Sequence, residues 1–509
     1  MTCRPRPLAV GWGVRRLGFI FLCLALGVAG ARGAGKWITA QTDNFILFSS
    51  ASEAESRELL EDLERLRAVL RKGLNLPPAR EPVTRVMAFN SRREFNHYKP
   101  LFEGKTKTDV VGYHSGGDDA AYIAIDLGSA DRAKRTIYHE YLHQMASVHD
   151  LNLPLWLNEG FAEFYSTFRM KKGEVILGDP IEEHVRFLRQ VRAFNVRDLV
   201  AIREDSPAYN EGFRQGVFYA QSWALVHYLL CGKSARDNAA GLSRYMTMRR
   251  SAVLDGADTQ RFEAAFGADY ETIEKELTRY LRGGRYNRYT GVVDTGPLPV
   301  IPTFVAADPA VLDCALIELQ WRAQQTPAAK FELLTLAEAN PTRPEPHESL
   351  GAISWRENQW EEAVRHWRRA AELGSRNPWM QVQVVKRQIT DFVTNQNLDY
   401  RLPDPLAAGL RDQLLRALEM NADYGDAYEL LALTEAFAAT PDIANVNRVQ
   451  RQAGKIERPQ RLLLALAILR WRVGDTATGL KILQALEQVP AVPPTVQAMA
   501  LKLRYRLQN

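Results

Sequence analysis

At 509 residues, 46% of them hydrophobic and 25% charged, the chain has room for about three domain-sized units and the composition of packed globular protein, which excludes a disordered or fibrous one. A net charge of +5 is small over this length. Basic and acidic residues are interleaved with no aromatic–basic stripe or zinc-finger spacing, so no nucleic-acid partner is expected.

Residues 1–31 read as a secretory signal peptide. Arg4, Arg6, Arg15 and Arg16 precede an apolar run from Leu17 to Ala31, and Ala29-Gly30-Ala31 offers small residues for cleavage. The run is about fifteen residues, short of the roughly twenty that cross a bilayer, so no membrane span is expected after cleavage, with an uncleaved anchor as the alternative. Leu22 before Cys23 is too large for a lipoprotein cleavage box. The expected location is secreted or periplasmic. Cys231 and Cys314 then remain, read as two separate buried thiols rather than a disulfide.

From residue 36 to 285, short strands alternate with helices, an α+β pattern. Strands are expected at Asn44 to Ser50, Val83 to Asn90, Val110 to Tyr113 and Ala121 to Leu127, with an amphipathic helix from Glu53 to Leu74. Ser91 is placed to cap a short helix through Tyr98, and Gly116-Gly117-Asp118-Asp119 reads as a turn. A helix starting near Ala130 carries His139-Glu140-Tyr141-Leu142-His143. Histidines at i and i+4 lie one turn apart on one face, so both rings reach one metal ion at about 2.0–2.1 Å. A hydrolytic zinc site takes three protein ligands and keeps one position for water; Glu159 is the natural third ligand, and Glu140 the general base beside the water. Further helices are expected near Ile181 to Val191, Phe213 to Leu230, Ala235 to Met248 and Asp258 to Leu281.

The segment Leu157-Asn158-Glu159-Gly160-Phe161-Ala162-Glu163 resembles the third-ligand region of the gluzincin metallopeptidases, the thermolysin and zinc-aminopeptidase group. The resemblance implies Zn2+ held by His139, His143 and Glu159. It also implies a role for Glu163 as the acid that accepts the free ring N–H of a ligand histidine and fixes its tautomer. His143 to Asp150 also matches the metzincin pattern HExxHxxGxxHD except at Ala146, where that family has glycine. A residue with a Cβ resists the sharp turn that this glycine allows, so the helix is expected to run on to about His149, with His149 pointing away from the metal.

Residues 36–285 resemble peptidase MA-like proteins, which carry a Tyr-x-Gln-Ser segment like Tyr219 to Ser222. By that resemblance Tyr219 is the first choice to stabilise the oxyanion, set against a tyrosine simply packed in a helical core; His227 and Tyr113 are weaker choices. The gluzincin resemblance also makes Tyr122 to Ile125 a candidate sheet edge for the substrate backbone.

Residues 286–311, with Gly296-Pro297, Pro299 and Pro302, read as a linker, and 312–509 as wholly helical. Leu350-Gly351, Ala363, Trp367, Ala370 and Asn377-Pro378 fall at the spacing of one tetratricopeptide repeat. A poorer copy lies at Leu466-Ala467, Gly479, Leu483 and Leu486, and Tyr428 to Ala438 is a fragment of another. A generic helical bundle is the alternative. The expectation is a secreted zinc metallopeptidase acting on a peptide or protein substrate, with a protein partner on the repeats. The rival is a catalytically idle peptidase fold whose repeats act as a scaffold.

Overall fold

The computed structural model describes residues 36–508 apart from 77–82, 103–104, 107–109, 118–119, 150, 152, 207–208, 210–211, 251–257, 295–296, 298, 325, 395–396, 457–458 and 490–491. The expected signal peptide lies outside the described residues. No helix among the described residues is long and apolar enough to cross a membrane.

The fold is mixed α+β. Among the described residues its centre is a sheet of six strands in the order β11-β1-β2-β3-β7-β6. These are β1 (Ile38–Gln41), β2 (Phe45–Ser49), β3 (Thr84–Phe89), β6 (Gly112–Ser115), β7 (Ala121–Asp126) and β11 (Val305–Ala306). A small hairpin, β4 (Leu101–Phe102) and β5 (Lys105–Thr106), precedes β6. Strands β2, β3 and β7 run parallel, while β1 and β6 pair antiparallel at either side of them. The β2 to β3 crossover is α1 (Glu53–Gly73), whose N-terminus is closed by a capping box between Ser52 and Glu55.

Side chains alternate across the sheet as the pleat requires. Phe45, Leu47, Val86, Ala88, Ile123 and Ile125 pack with α1 and with α3 (Ala130–Val148). Phe48, Met87, Phe89, Tyr122 and Ala124 face the other way. There they meet Phe95 at the end of the short α2 (Arg92–Phe95) and Leu312, Ala315, Leu316 and Leu319 of the helix Pro309–Gln324. The expected linker therefore holds structure. Val305 pairs with Thr39, and β10 (Tyr289–Gly291) joins β8 (Arg169–Lys171) and β9 (Glu174–Leu177) in a three-stranded sheet.

After α3 come α4 (Leu155–Tyr165), α5 (Glu182–Gln190), α6 (Val196–Ala201) and α7 (Gly212–Cys231), then α8 (Ala235–Arg250), α9 (Asp258–Phe266) and α10 (Tyr270–Gly283). The single helix expected from Asp258 to Leu281 is two, because Gly267 takes φ +64° and Asp269 caps a new start. Cys231 and Cys314 are free and buried in different core clusters.

From Pro309 onward the described chain is helical. Leu350, Ala363, Trp367 and Ala370 are buried where helix Glu345–Arg356 meets helix Trp360–Glu372. A Cβ on Gly351 would stand 2.2 Å from the Trp367 indole nitrogen, so the bare glycine admits that ring. Helices Gln460–Arg472 and Thr476–Glu487 likewise bury Ala467, Gly479, Leu483 and Leu486. A buried ionic network ties these helices to the sheet. Arg322 binds Glu318 at 2.7 Å and Ser349 donates to Glu318 at 3.2 Å, while Arg85 on β3 donates to the Tyr122 hydroxyl at 3.0 Å.

Candidate metal centre

Helix α3 buries Ala133, Ile137, Tyr141 and Met145 against the sheet, one side chain per turn, which turns His139 and His143 toward α4. It continues through Ala146 to Val148 with His149 as its C-cap, so no turn carries His149 back to the other histidines. Pro154 then sets the extended residue from which α4 begins, and α4 buries Glu159 among Trp156, Leu157, Phe161 and Ala162.

His139, His143 and Glu159 form the one His/Cys/Asp/Glu group among the described residues placed to hold a metal ion. His139 Nε2 and His143 Nε2 are 3.1 Å apart, and Glu159 Oε2 lies 3.4 Å from the first and 3.3 Å from the second. Tetrahedral bonds of about 2.0–2.1 Å separate ligand atoms by roughly 3.3 Å, so the triangle has the size of one face of a zinc tetrahedron. Glu159 Oε2 is buried without a hydrogen bond of its own, which an ion would satisfy. His149 is not in the group.

The electrostatics fit a cation. Burial alone raises the Glu159 carboxyl, yet the two facing histidines hold it down at about 2. Burial lowers His139, and the opposing pull of Glu159, Glu163 and Glu140 leaves it raised. Three carboxylates thus act together on the His139 imidazole. Glu140 sits on α3 between the histidines and is partly exposed.

Three further side chains shape the site. Glu163, one turn beyond Glu159, has Oε1 3.6 Å from His139 Nδ1 and Oε2 3.3 Å from His184 Nε2 on α5. The Tyr209 hydroxyl donates to Glu159 Oε1 at 3.4 Å, which leaves Oε2 to the histidines. The Tyr219 ring on α7 lies 6.4 Å from the His139 ring and 6.3 Å from the Tyr209 ring. Burial and the nearby Glu159 charge raise the Tyr219 phenol strongly, so it keeps its proton at neutral pH. His184 and Tyr209 belong to no motif, and nothing in the local sequence marks either.

The other residues considered from sequence have structural places. Gln221 accepts from Phe194 N at 2.9 Å and donates to Phe194 O at 2.6 Å, clamping α7 to the loop before α6. His227 is fully buried, with Nδ1 2.8 Å from the Tyr280 hydroxyl and Nε2 2.7 Å from Gly178 O. Tyr113 donates to Tyr98 O at 2.5 Å on the sheet face away from α3. Tyr122 to Ile125 is corrected as a substrate edge: β7 is flanked by β3 and β6, and all four residues are fully buried. Residues 112–115 fold back as a hairpin onto β7 and take the outer position, so β6 is the terminal strand beside α3.

The profile of a family described as "Protein of unknown function (DUF1570)" matches residues 133–249. That span holds His139, Glu140, His143, Glu159, Glu163, His184, Tyr209 and Tyr219. No curated protein matches the chain.

Proposed function

We propose that the chain is a secreted or periplasmic zinc metallopeptidase of gluzincin type whose tetratricopeptide-like helices hold a protein partner. The observation that carries this reading is the triangle of His139 Nε2, His143 Nε2 and Glu159 Oε2, with edges of 3.1–3.4 Å. Zinc held there would supply a Lewis acid that polarises a water molecule and the scissile carbonyl.

The chain's own groups do the rest. Glu140 accepts the proton of the attacking water and later delivers it to the leaving nitrogen. Tyr219 donates its hydroxyl proton in a hydrogen bond to the oxyanion. Strand β6 offers its outer backbone edge to an extended substrate, and β-augmentation of this kind selects peptides over small esters. Glu163 sets a negative charge 3.6 Å behind the ring at His139 Nδ1, which favours the proton there and leaves Nε2 free to ligate. The long helical tail supports partner binding by its stacked-pair architecture.

The test is Glu140→Gln in purified full-length protein against a peptide library. The variant is expected to keep zinc and lose turnover, by about 10²–10⁴-fold for a displaced general base. Undiminished cleavage would remove Glu140 from its role. A protein that binds no zinc and cleaves nothing would leave the idle-scaffold reading standing.

A further inference from the structure

A histidine that ligates through Nε2 must carry its ring proton on Nδ1, and a partner behind the ring decides whether it does. For His139 that partner is Glu163, whose Oε1 is 3.6 Å from Nδ1. A glutamate side chain has three rotatable bonds and holds such a pose only when its second oxygen is also engaged. The second oxygen faces His184 Nε2 at 3.3 Å. This nitrogen is buried and makes no hydrogen bond among the described residues, and the Glu163 carboxylate is an acceptor within its reach.

We propose that His184 is a positioning residue of the metal centre: by engaging Glu163 it holds the His139 ring in the tautomer and orientation that binds metal. The proposal rests on the zinc-peptidase reading of the site. The His184 ring is itself placed by packing 5.8 Å from the Trp223 ring of α7. The side chains of Glu163 and His184 are 15% and 20% exposed, which leaves water a weak competitor for their contact. His143 shows the contrast: its Nδ1 is buried with no hydrogen-bond partner among the described residues, so His139 is the ligand the fold orients from behind.

Zinc affinity of the full chain, measured by competition with a chromogenic chelator, tests this without reference to turnover. His184→Leu is expected to weaken zinc by about tenfold, the lower end of the cost of losing the direct partner of a ligand histidine, because His184 acts through Glu163. His184→Gln, whose amide N–H replaces the Nε2–H, is expected to stay within about threefold of wild type. Equal weakening in both variants would overturn the proposal, as would no weakening in His184→Leu. In either case, loss of zinc in His139→Ala would leave the metal reading intact. A wild-type chain that binds no zinc would sink both. Should His184→Leu not fold, nitrogen-15 spectra of the zinc-loaded wild type decide: a proton on His184 Nε2 is expected, and a proton on Nδ1 instead would overturn the role.

Discussion

Gly160 lies against Ser222 at the crossing of α4 and α7: a Cβ on Gly160 would stand 2.6 Å from the Ser222 carbonyl oxygen and 2.5 Å from Val226 Cγ2. Glu159 precedes this contact on α4, and Tyr219 lies one turn before it on α7. The glycine therefore sets the spacing between the carboxylate and the phenol. Gly160→Ala is expected to spread the helices, costing about 1–3 kcal/mol of stability as overpacking does. Zinc affinity should fall with it. Thermal melts and zinc titration of the variant check this, and unchanged values in both would deny the crossing any such part.

Removing a ligand should be distinguishable from removing the base. His143→Ala or Glu159→Ala, in native mass spectrometry, is expected to lose the roughly one zinc per chain that three ligands hold, while Glu140→Gln retains it. Retention of stoichiometric zinc by Glu159→Ala would transfer the third position to another side chain.

Tyr219→Phe is expected to lower kcat by about 10²–10³-fold, as loss of one oxyanion donor does, with zinc content unchanged. Tyr209→Phe removes the hydroxyl at 3.4 Å from Glu159 Oε1 and should act on zinc affinity more than on kcat. If kcat of Tyr219→Phe stays within about twofold, the ring is packing rather than chemistry.

His227 supplies a test of stability with no part in the site. His227→Leu strands the Tyr280 hydroxyl and the Gly178 carbonyl, at about 1–3 kcal/mol for each unsatisfied group. Burial depresses the His227 pKa, so the unfolded chain takes up a proton near pH 6.5 while the folded chain does not. The neutral ring's contribution is thus present above about pH 6.5 and lost as pH falls below it. Melting temperatures from pH 8 to 5 are expected to fall more steeply for wild type than for His227→Leu. Parallel curves would mean that His227 does not titrate on unfolding.

Strong local patterns could be read from the chain alone. The α1 span expected as Glu53 to Leu74 is found at Glu53–Gly73, and the strand expected at Ala121 to Leu127 at Ala121–Asp126, because both carry apolar periodicity with a clear start or stop. Ala146 told where α3 continues, since its Cβ disfavours the alternative turn. The edge position of β6 was not legible, because pairing is a property of two strands and both read simply as apolar runs. His184 was equally hidden. It meets Glu163 only after the β8–β9 hairpin has turned α5 back toward the site. Tyr209 reaches Glu159 from a segment whose own sequence is polar and unremarkable. The candidate ligands lie close in sequence and form a spacing; the residues that surround them come from separate elements and form none.

Helix Pro309–Gln324 lays Leu312, Leu316 and Leu319 on Trp37, Phe48, Met87 and Phe89, and β11 hydrogen-bonds to β1. At about 1.5–3 kcal/mol for each large apolar side chain withdrawn from water, that contact rivals the whole margin by which a domain stays folded. The amino-terminal half is consequently unfinished without its tail. Cutting the chain at Arg285 would not liberate a self-sufficient smaller protein; it would unroof the sheet on which the histidine helix is seated.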